Sequence, residues 1–341
     1  MSLEDLNSDL ATKQLAGFWA SNITDNDGEA LEPRTTVVPY LWKWDDIYNG
    51  LLQAGELVSL EQSERRTIRL LNPGVPGTTG ATNTVHTSIQ LVKPGEIAKA
   101  HRHTLTALRF VLRGGGAFTT VEGERFTMHP GDLILTPQWT WHDHYNGTGE
   151  NIIWVDGHDG PLLKALEVLA VEPFSQKQQP VEAMPDFSLH QFGWARPPEQ
   201  LSEFPDPPFR YPWETTYESL KALASTPGDE CDGVLLRYVN PRNGGFTLRT
   251  IGCEIQMIRP DEKTRSHRHT STTIYHVFRG SGATIVNGQR IEWGQGDFFT
   301  VPLWSWHQHE NGHKHEAILF SVNDRPVKEA FGLYREERGS E

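Results

Sequence analysis

Apolar residues recur along this chain with two different periods. From Thr67 to Asp156, short β-branched and aromatic runs are cut by turn residues: Asn72-Pro73-Gly74, Lys93-Pro94-Gly95, Gly114 to Gly116, Glu122-Gly123-Glu124 and Pro130-Gly131-Asp132. The pattern returns at Gly233 and runs to about Val322. Regular short strands separated by such turns predict a sandwich or closed barrel, once in each half. No helical run follows Gly114 to Gly116, so these glycines read as a tight turn and not as a phosphate loop. Outside the two blocks the period is helical. Leu3, Leu6, Leu10 and Leu15 form a stripe after Ser2, a potential cap, and Trp42, Trp44, Ile47, Leu51 and Leu52 form another between 42 and 59. Both stripes are expected to be buried against a barrel or a sister subunit. Leu162 to Val171 is amphipathic, Pro197, Pro198, Pro205, Pro207, Pro208 and Pro212 mark an extended linker, and Trp213 to Ala224 reads as a helix. The tail Arg335 to Glu341 is charged and expected to be solvated. The divisions are therefore a helical extension 1–62, a first β domain 63–160, a linker with helices 161–232, and a second β domain with tail 233–341.

Histidine placement adds chemistry to this outline. His101 and His103 sit two apart, so on a strand their rings project from one face. His142 follows in Thr136-Pro137-Gln138-Trp139-Thr140-Trp141-His142, with Asn146 after it. A pair on one strand plus a third histidine from a returning strand is a donor set for a divalent transition metal. The arrangement occurs twice. His267 and His269 repeat the pair at an offset of 166 residues, and His307, with Asn311 after it, repeats the third at an offset of 165.

These two blocks resemble the paired motifs of the cupins, Gly-x5-His-x-His and Gly-x5-Pro-x4-His-x3-Asn, although Arg259-Pro260 stand where the second copy's leading glycine falls. The chain is thus similar to a bicupin: mainly β, two double-stranded β-helix (jelly-roll) barrels with peripheral helices. The strings Ala100-His101-Arg102-His103-Thr104, Ala107-Leu108-Arg109-Phe110 and Thr136 to His144 resemble the gentisate 1,2-dioxygenase family, which includes salicylate and 1-hydroxy-2-naphthoate relatives. The resemblance covers most of the chain and is strongest from Glu64 to Pro161. It implies an Fe(II)-dependent, extradiol-type ring cleavage of a hydroxylated aromatic carboxylate, foremost gentisate with O2 to maleylpyruvate. Salicylate and 1-hydroxy-2-naphthoate are alternative substrates, and a non-catalytic metal- or ligand-binding bicupin is the alternative of another class. The resemblance also implies a homotetramer.

Many cupins place a carboxylate ligand a few residues after the histidine pair, but Thr104 to Arg109 contains no acid. Three neutral imidazoles leave the full charge on a divalent ion, which favours an anionic chelator such as an ortho-hydroxy carboxylate. Leu108 and Ile274 at the missing position disfavour the oxalate-type decarboxylase bicupins. Arg109, set among apolar residues, is a candidate for the substrate carboxylate, with a salt-bridged barrel arginine as the alternative. Arg65 is a second candidate, and Gln90 matches a family position near the metal. His144, two beyond His142, is a candidate for hydrogen bonding or proton transfer. Asp156 is a candidate to orient a site histidine, with an ordinary strand-end acid as the alternative. His129 and His158 are expected in solvent beside turns, and Trp139 and Trp141 are expected to wall the pocket. Relatives carry an aromatic where this chain has His86, so a polar pocket wall would favour an additional ring hydroxyl or a different ring. In the second copy Tyr275 and about Ser321 replace Arg109 and Asp156, which assigns catalysis to the first copy and leaves His267, His269 and His307 as a possible second metal site.

Composition narrows the partners. The net charge of −13 argues against nucleic acid or an anionic membrane. Two cysteines outside any metal-type spacing favour a reducing cytoplasm. The acidic N-terminus resembles no secretory leader, and no apolar run approaches the roughly 18 residues of a membrane span.

Overall fold

The computed structural model describes residues 2–20, 32–60, 63, 65–77, 80–193, 195–197 and 206–339. Pro198 and Pro205 of the expected linker, and the last two residues of the tail, lie outside them. Met1–Arg34 is one unit and Thr35–Glu341 a second, compact one. The first holds the helix Leu3–Thr12, whose start is closed by a capping box between Ser2 and Asp5. Its leucine stripe is not buried, as Leu3 is 62% and Leu15 56% exposed. Capping and the Lys13–Asp9 ion pair, not burial, are what hold this helix.

In the second unit each half builds a six-stranded and a five-stranded sheet. Strands His86–Val92, Ala107–Arg113, Leu133–Thr136 and Ile152–His158 make the centre of the first six-stranded sheet. Ile97–His103, Ala117–Val121, Glu124–Met128 and His142–Tyr145 belong to its five-stranded partner. Gly252–Ile258, Thr273–Arg279, Phe298–Val301 and Ala317–Asn323 repeat the first set, and His267–His269, Ser281–Val286, Gln289–Gly294 and His307–Glu310 the second. The fold is a bicupin.

Strand alternation decides what each face buries. Val92, Val111, Ile152 and Trp154 point inward and meet Val121, Phe126 and Met128 from the five-stranded sheet. Leu91, Phe110, Ile153 and Val155 point the other way and join Ile255, Ile318, Phe320 and Val322 of the second half. The six-stranded sheets therefore pack back to back, with Phe110 stacked on Phe320 at 4.0 Å between ring centroids. This double burial explains why His86–Val92 and Ala317–Asn323 are buried at every position, whereas Glu124–Met128 alternates.

The extension and the linker are tied into the opposite halves. Tyr40–Trp42 pairs with Phe298–Val301 of the second cupin, and Phe209–Tyr211 pairs with Leu133–Thr136 of the first. Trp42 thus lies on a strand, not in the expected helix, which begins at Trp44. The helix Trp44–Leu57 buries Trp44, Ile47 and Leu51. Its first turn is capped from a distance: Asp297 Oδ1 accepts from Trp44 N at 2.9 Å, and Lys43 Nζ lies 2.8 Å from Oδ2. The helix Trp213–Leu223 repeats the device, with Asp132 Oδ1 accepting from Trp213 N at 2.9 Å. A carboxylate there satisfies an unpaired helical N–H and meets the positive helix end. The preceding Gly131 and Gly296 have φ of 90° and 95°, and a Cβ at either would collide with Trp213 or Trp44.

Candidate metal and substrate site

The two sheets of the first cupin deliver opposite halves of one site. His101 and His103 come from Ile97–His103, and His142 from the strand paired with it, with His101 opposite His142 in the register. One ring nitrogen from each of the three lies within 4.8 Å of the others. The Nδ1 atoms of His101, His103 and His142 meet the carbonyls of Lys99, Leu105 and Thr140 at 3.1, 2.9 and 3.0 Å. In His103 and His142 donation from Nδ1–H fixes the tautomer and leaves Nε2 as the lone-pair atom, whereas at His101 Nδ1 the Arg65 guanidinium competes with the carbonyl. His142 Nε2 is buried without a protein partner, as suits a metal-ligating nitrogen. Burial, with the charges of Arg65 and Arg109 adding to it, pulls His101 down to about 3. Burial likewise takes His103 to about 4 and His142 well below its usual range. All three are neutral at pH 7, the form in which imidazole binds a metal. The donor set therefore fits a divalent transition ion.

The six-stranded sheet supplies the anion side. Arg65 Nη2 lies 2.7 Å from His101 Nδ1 and 3.1 Å from Nε2. Arg109, buried, points inward beside Val111; its Nη1 donates to Thr136 Oγ1 and its Nε lies 3.3 Å from Asp156 Oδ1. Asp156 lies directly opposite Arg109 in the register and accepts from Trp154 Nε1 at 3.0 Å. Its charged neighbour is this arginine and not a histidine, which corrects the expectation drawn from the sequence. Gln90, on the strand next to Asp156, has a buried Nε2 with no partner. His144 is buried with Nδ1 2.9 Å from Thr119 Oγ1, and its Nε2 is without a partner. Burial, joined by Arg109 and Arg65, holds it neutral.

Three further expectations change. His158 is not a solvent histidine: it stacks on His86 at 4.2 Å, because the two are register partners at the end of one strand pair. His129 is exposed as expected. Trp139 and Trp141 do not wall the pocket. They lie against the Arg102 guanidinium at 4.6 and 4.4 Å, and Arg102, between His101 and His103, faces away from the metal side. Thr136 and Thr119 escaped the sequence reading. Their signal was a hydroxyl at an inward position among apolar neighbours.

The second cupin brings His267, His269 and His307 together with nitrogens within the same 4.8 Å. Its surroundings differ, since Tyr275 opposite Ser321 occupies the place of Arg109 opposite Asp156.

A bicupin with a three-histidine donor set and arginines beside it defines a class of cupin proteins suited to hold a divalent metal next to an anionic ligand. The cupin domain model matches residues 88–158 and 254–323. The chain is 42% identical to a 5-aminosalicylate 1,2-dioxygenase from Comamonas sp, over 98% of this chain and 90% of that protein. It is 34% identical to gentisate 1,2-dioxygenase 1 from Aquipseudomonas alcaligenes, over 98% and 96%. The crystal structure of a salicylate 1,2-dioxygenase from Pseudoaminobacter salicylatoxidans, in adducts with gentisate, superposes with a TM-score of 0.90 at 30% identity, covering 99% of this chain and 94% of that one. The chain belongs to the gentisate 1,2-dioxygenase family of ring-cleaving oxidoreductases.

Proposed function

We propose that the first cupin cleaves gentisate with O2 to give maleylpyruvate, using Fe(II) held by His101, His103 and His142. The observation that carries this reading is the charge arrangement: three neutral imidazoles face Arg65 and the Arg109–Asp156 pair inside one barrel. A divalent ion bound so keeps its full charge, so the site favours an anionic chelating substrate. When bound, Fe(II) supplies open coordination positions at which an ortho-hydroxy carboxylate and dioxygen meet. Arg109 pairs with the substrate carboxylate and Asp156 holds the guanidinium in place. Arg65 adds positive charge on the side of His101. Gln90 Nε2 is a donor aimed into the barrel, and His144 Nε2 is a hydrogen-bonding or proton-transfer atom for the ring hydroxyl. The ring opens between the carboxyl-bearing and hydroxyl-bearing carbons, and both oxygen atoms enter the product.

The similarity to the 5-aminosalicylate enzyme supports a wider class, salicylates with a polar group at position 5, of which gentisate is the hydroxy member. His86 and His158 offer polar ring edges for such a group. Oxygen uptake by protein reconstituted anaerobically with Fe(II) tests the proposal. Gentisate, 5-aminosalicylate, salicylate and 1-hydroxy-2-naphthoate are compared, with His101→Ala as control. Uptake with a 5-substituted salicylate, lost in the control, supports the reading. Stoichiometric iron without uptake supports a binding protein instead. We further assign the active assembly as a homotetramer in the cytoplasm, which the mass of the native protein in solution and cell fractionation test.

A further inference from the structure

We propose that the second histidine triad is a closed, four-donor site for a divalent transition metal, completed by Asp232, and that this ion cross-links the fold instead of meeting substrate. The proposal does not depend on which aromatic acid the first cupin accepts.

The two triads share their histidines and differ in what approaches them. Two residues before the edge strand of each half, the chain passes the first histidine of the triad. In the first half that residue is Arg65, ahead of Thr67–Arg69, with Nη2 2.7 Å from His101. In the second it is Asp232, ahead of Val234–Arg237, with Oδ1 3.8 Å from His267 Nε2. That separation exceeds a hydrogen bond. It is close to the roughly 3.4 Å between two donors bound at about 2.1 Å to one tetrahedral ion. His307 Nδ1 is engaged by the Ser305 carbonyl at 2.9 Å, which leaves Nε2, buried and without a partner, for the ion.

The backbone that carries this carboxylate is also held in place. Gln256 Nε2 donates to the Asp232 carbonyl at 2.7 Å, and Asp232 N donates to Asp229 Oδ1 at 3.3 Å. Gln90, the matching residue of the first half, leaves its Nε2 unpartnered in the site. One glutamine thus serves an open site and the other anchors the backbone of the proposed ligand residue. With Tyr275 where Arg109 stands, and the acid Asp232 instead of an arginine beside the first histidine, an anionic chelator lacks both arginine partners of the first site. A carboxylate ligand lowers the charge on the ion in addition. The bound ion would join the strands His267–His269 and His307–Glu310 to the segment leading into Val234–Arg237.

Co(II) titration of the metal-free protein tests this. Wild type is expected to bind two equivalents, and His101→Ala and His307→Ala one each. Within His101→Ala, Asp232→Asn, nearly isosteric, is expected to weaken Co(II) binding at least about tenfold and to alter its visible absorption band. A single equivalent in wild type, or a folded His101→Ala protein without Co(II), overturns the site. Unchanged affinity and spectrum in Asp232→Asn overturns the fourth donor. Oxygen uptake judges the first cupin separately, because it is read on the wild-type iron protein whichever way the Co(II) titration falls.

Discussion

Asp159 Oδ2 accepts a hydrogen bond from Thr250 Oγ1 at 2.8 Å, across the boundary between the two cupins. Its other oxygen accepts from Thr106 N at 3.0 Å, three residues after His103. The second half answers in kind: Asp324 accepts from Thr84 Oγ1 at 2.8 Å and from Thr272 N at 2.9 Å, three residues after His269. Each cupin therefore pins the other's histidine loop through a buried carboxylate. Thr250→Val leaves Asp159 short of one donor, and a loss of about 1–3 kcal/mol in denaturant unfolding is expected. Thr250→Ser, which keeps the donor, is expected to lose much less.

Arg109 and Asp156 make opposite predictions for binding and for stability. Arg109→Ala removes the charged partner of the substrate carboxylate, so kcat/KM is expected to fall on the order of 10–100-fold or more. It also leaves Asp156 buried without its cation, which costs about 3–5 kcal/mol of stability. The double variant Arg109→Ala/Asp156→Ala should recover part of the stability and none of the kcat/KM. Steady-state kinetics and thermal melting read the two effects separately.

Removal of metal is expected to abolish oxygen uptake, with return on adding Fe(II) anaerobically. His142→Ala deletes a ligand whose Nε2 has no protein partner, so it should lose the first metal and change the fold little. Metal analysis alongside circular dichroism checks both halves of that statement.

Glu124 gives a pH dependence of stability away from the site. Burial pushes its carboxyl up to about 7, against the hydrogen bond it accepts from Ser188 N at 2.8 Å. The folded state thus holds a proton that the unfolded chain releases near its ordinary value of 4.5. The stabilising contribution is complete below about pH 4.5 and is lost as pH rises toward 7. Glu124→Gln keeps the acceptor and removes the titration. The variant is expected to be more stable than wild type at pH 8, with a flatter stability profile between pH 4.5 and 7. Equal slopes for the two proteins in urea unfolding across that window would falsify the assignment.

Much of the site could be read in advance because its residues obey a local period. His101 and His103 declare themselves by a spacing of two, Arg109 by standing alone among apolar residues, and the second triad by its offset. Several of the readings that failed required knowledge of which strand lies opposite which. Asp156 meets Arg109 because Ile152–His158 pairs with Ala107–Arg113 in that register. His158 reaches His86 for the same reason. Trp139 and Trp141 stack on Arg102 because alternation turns that arginine outward. Asp232 carries no local signal at all, being an acid at a turn until the fold brings it to His267.

By itself, then, the sequence determined the two β blocks, the duplicated histidines and the residue types that make a neutral metal centre beside arginine. These depend on neighbours within a strand, where the pleat fixes direction. Only the tertiary structure decided the back-to-back sheets, the exchange of edge strands between halves, and the opposite charges beside the two triads. Those depend on contacts between segments far apart in the chain, Tyr40 with Thr300 and Thr250 with Asp159 among them, for which no local periodicity exists.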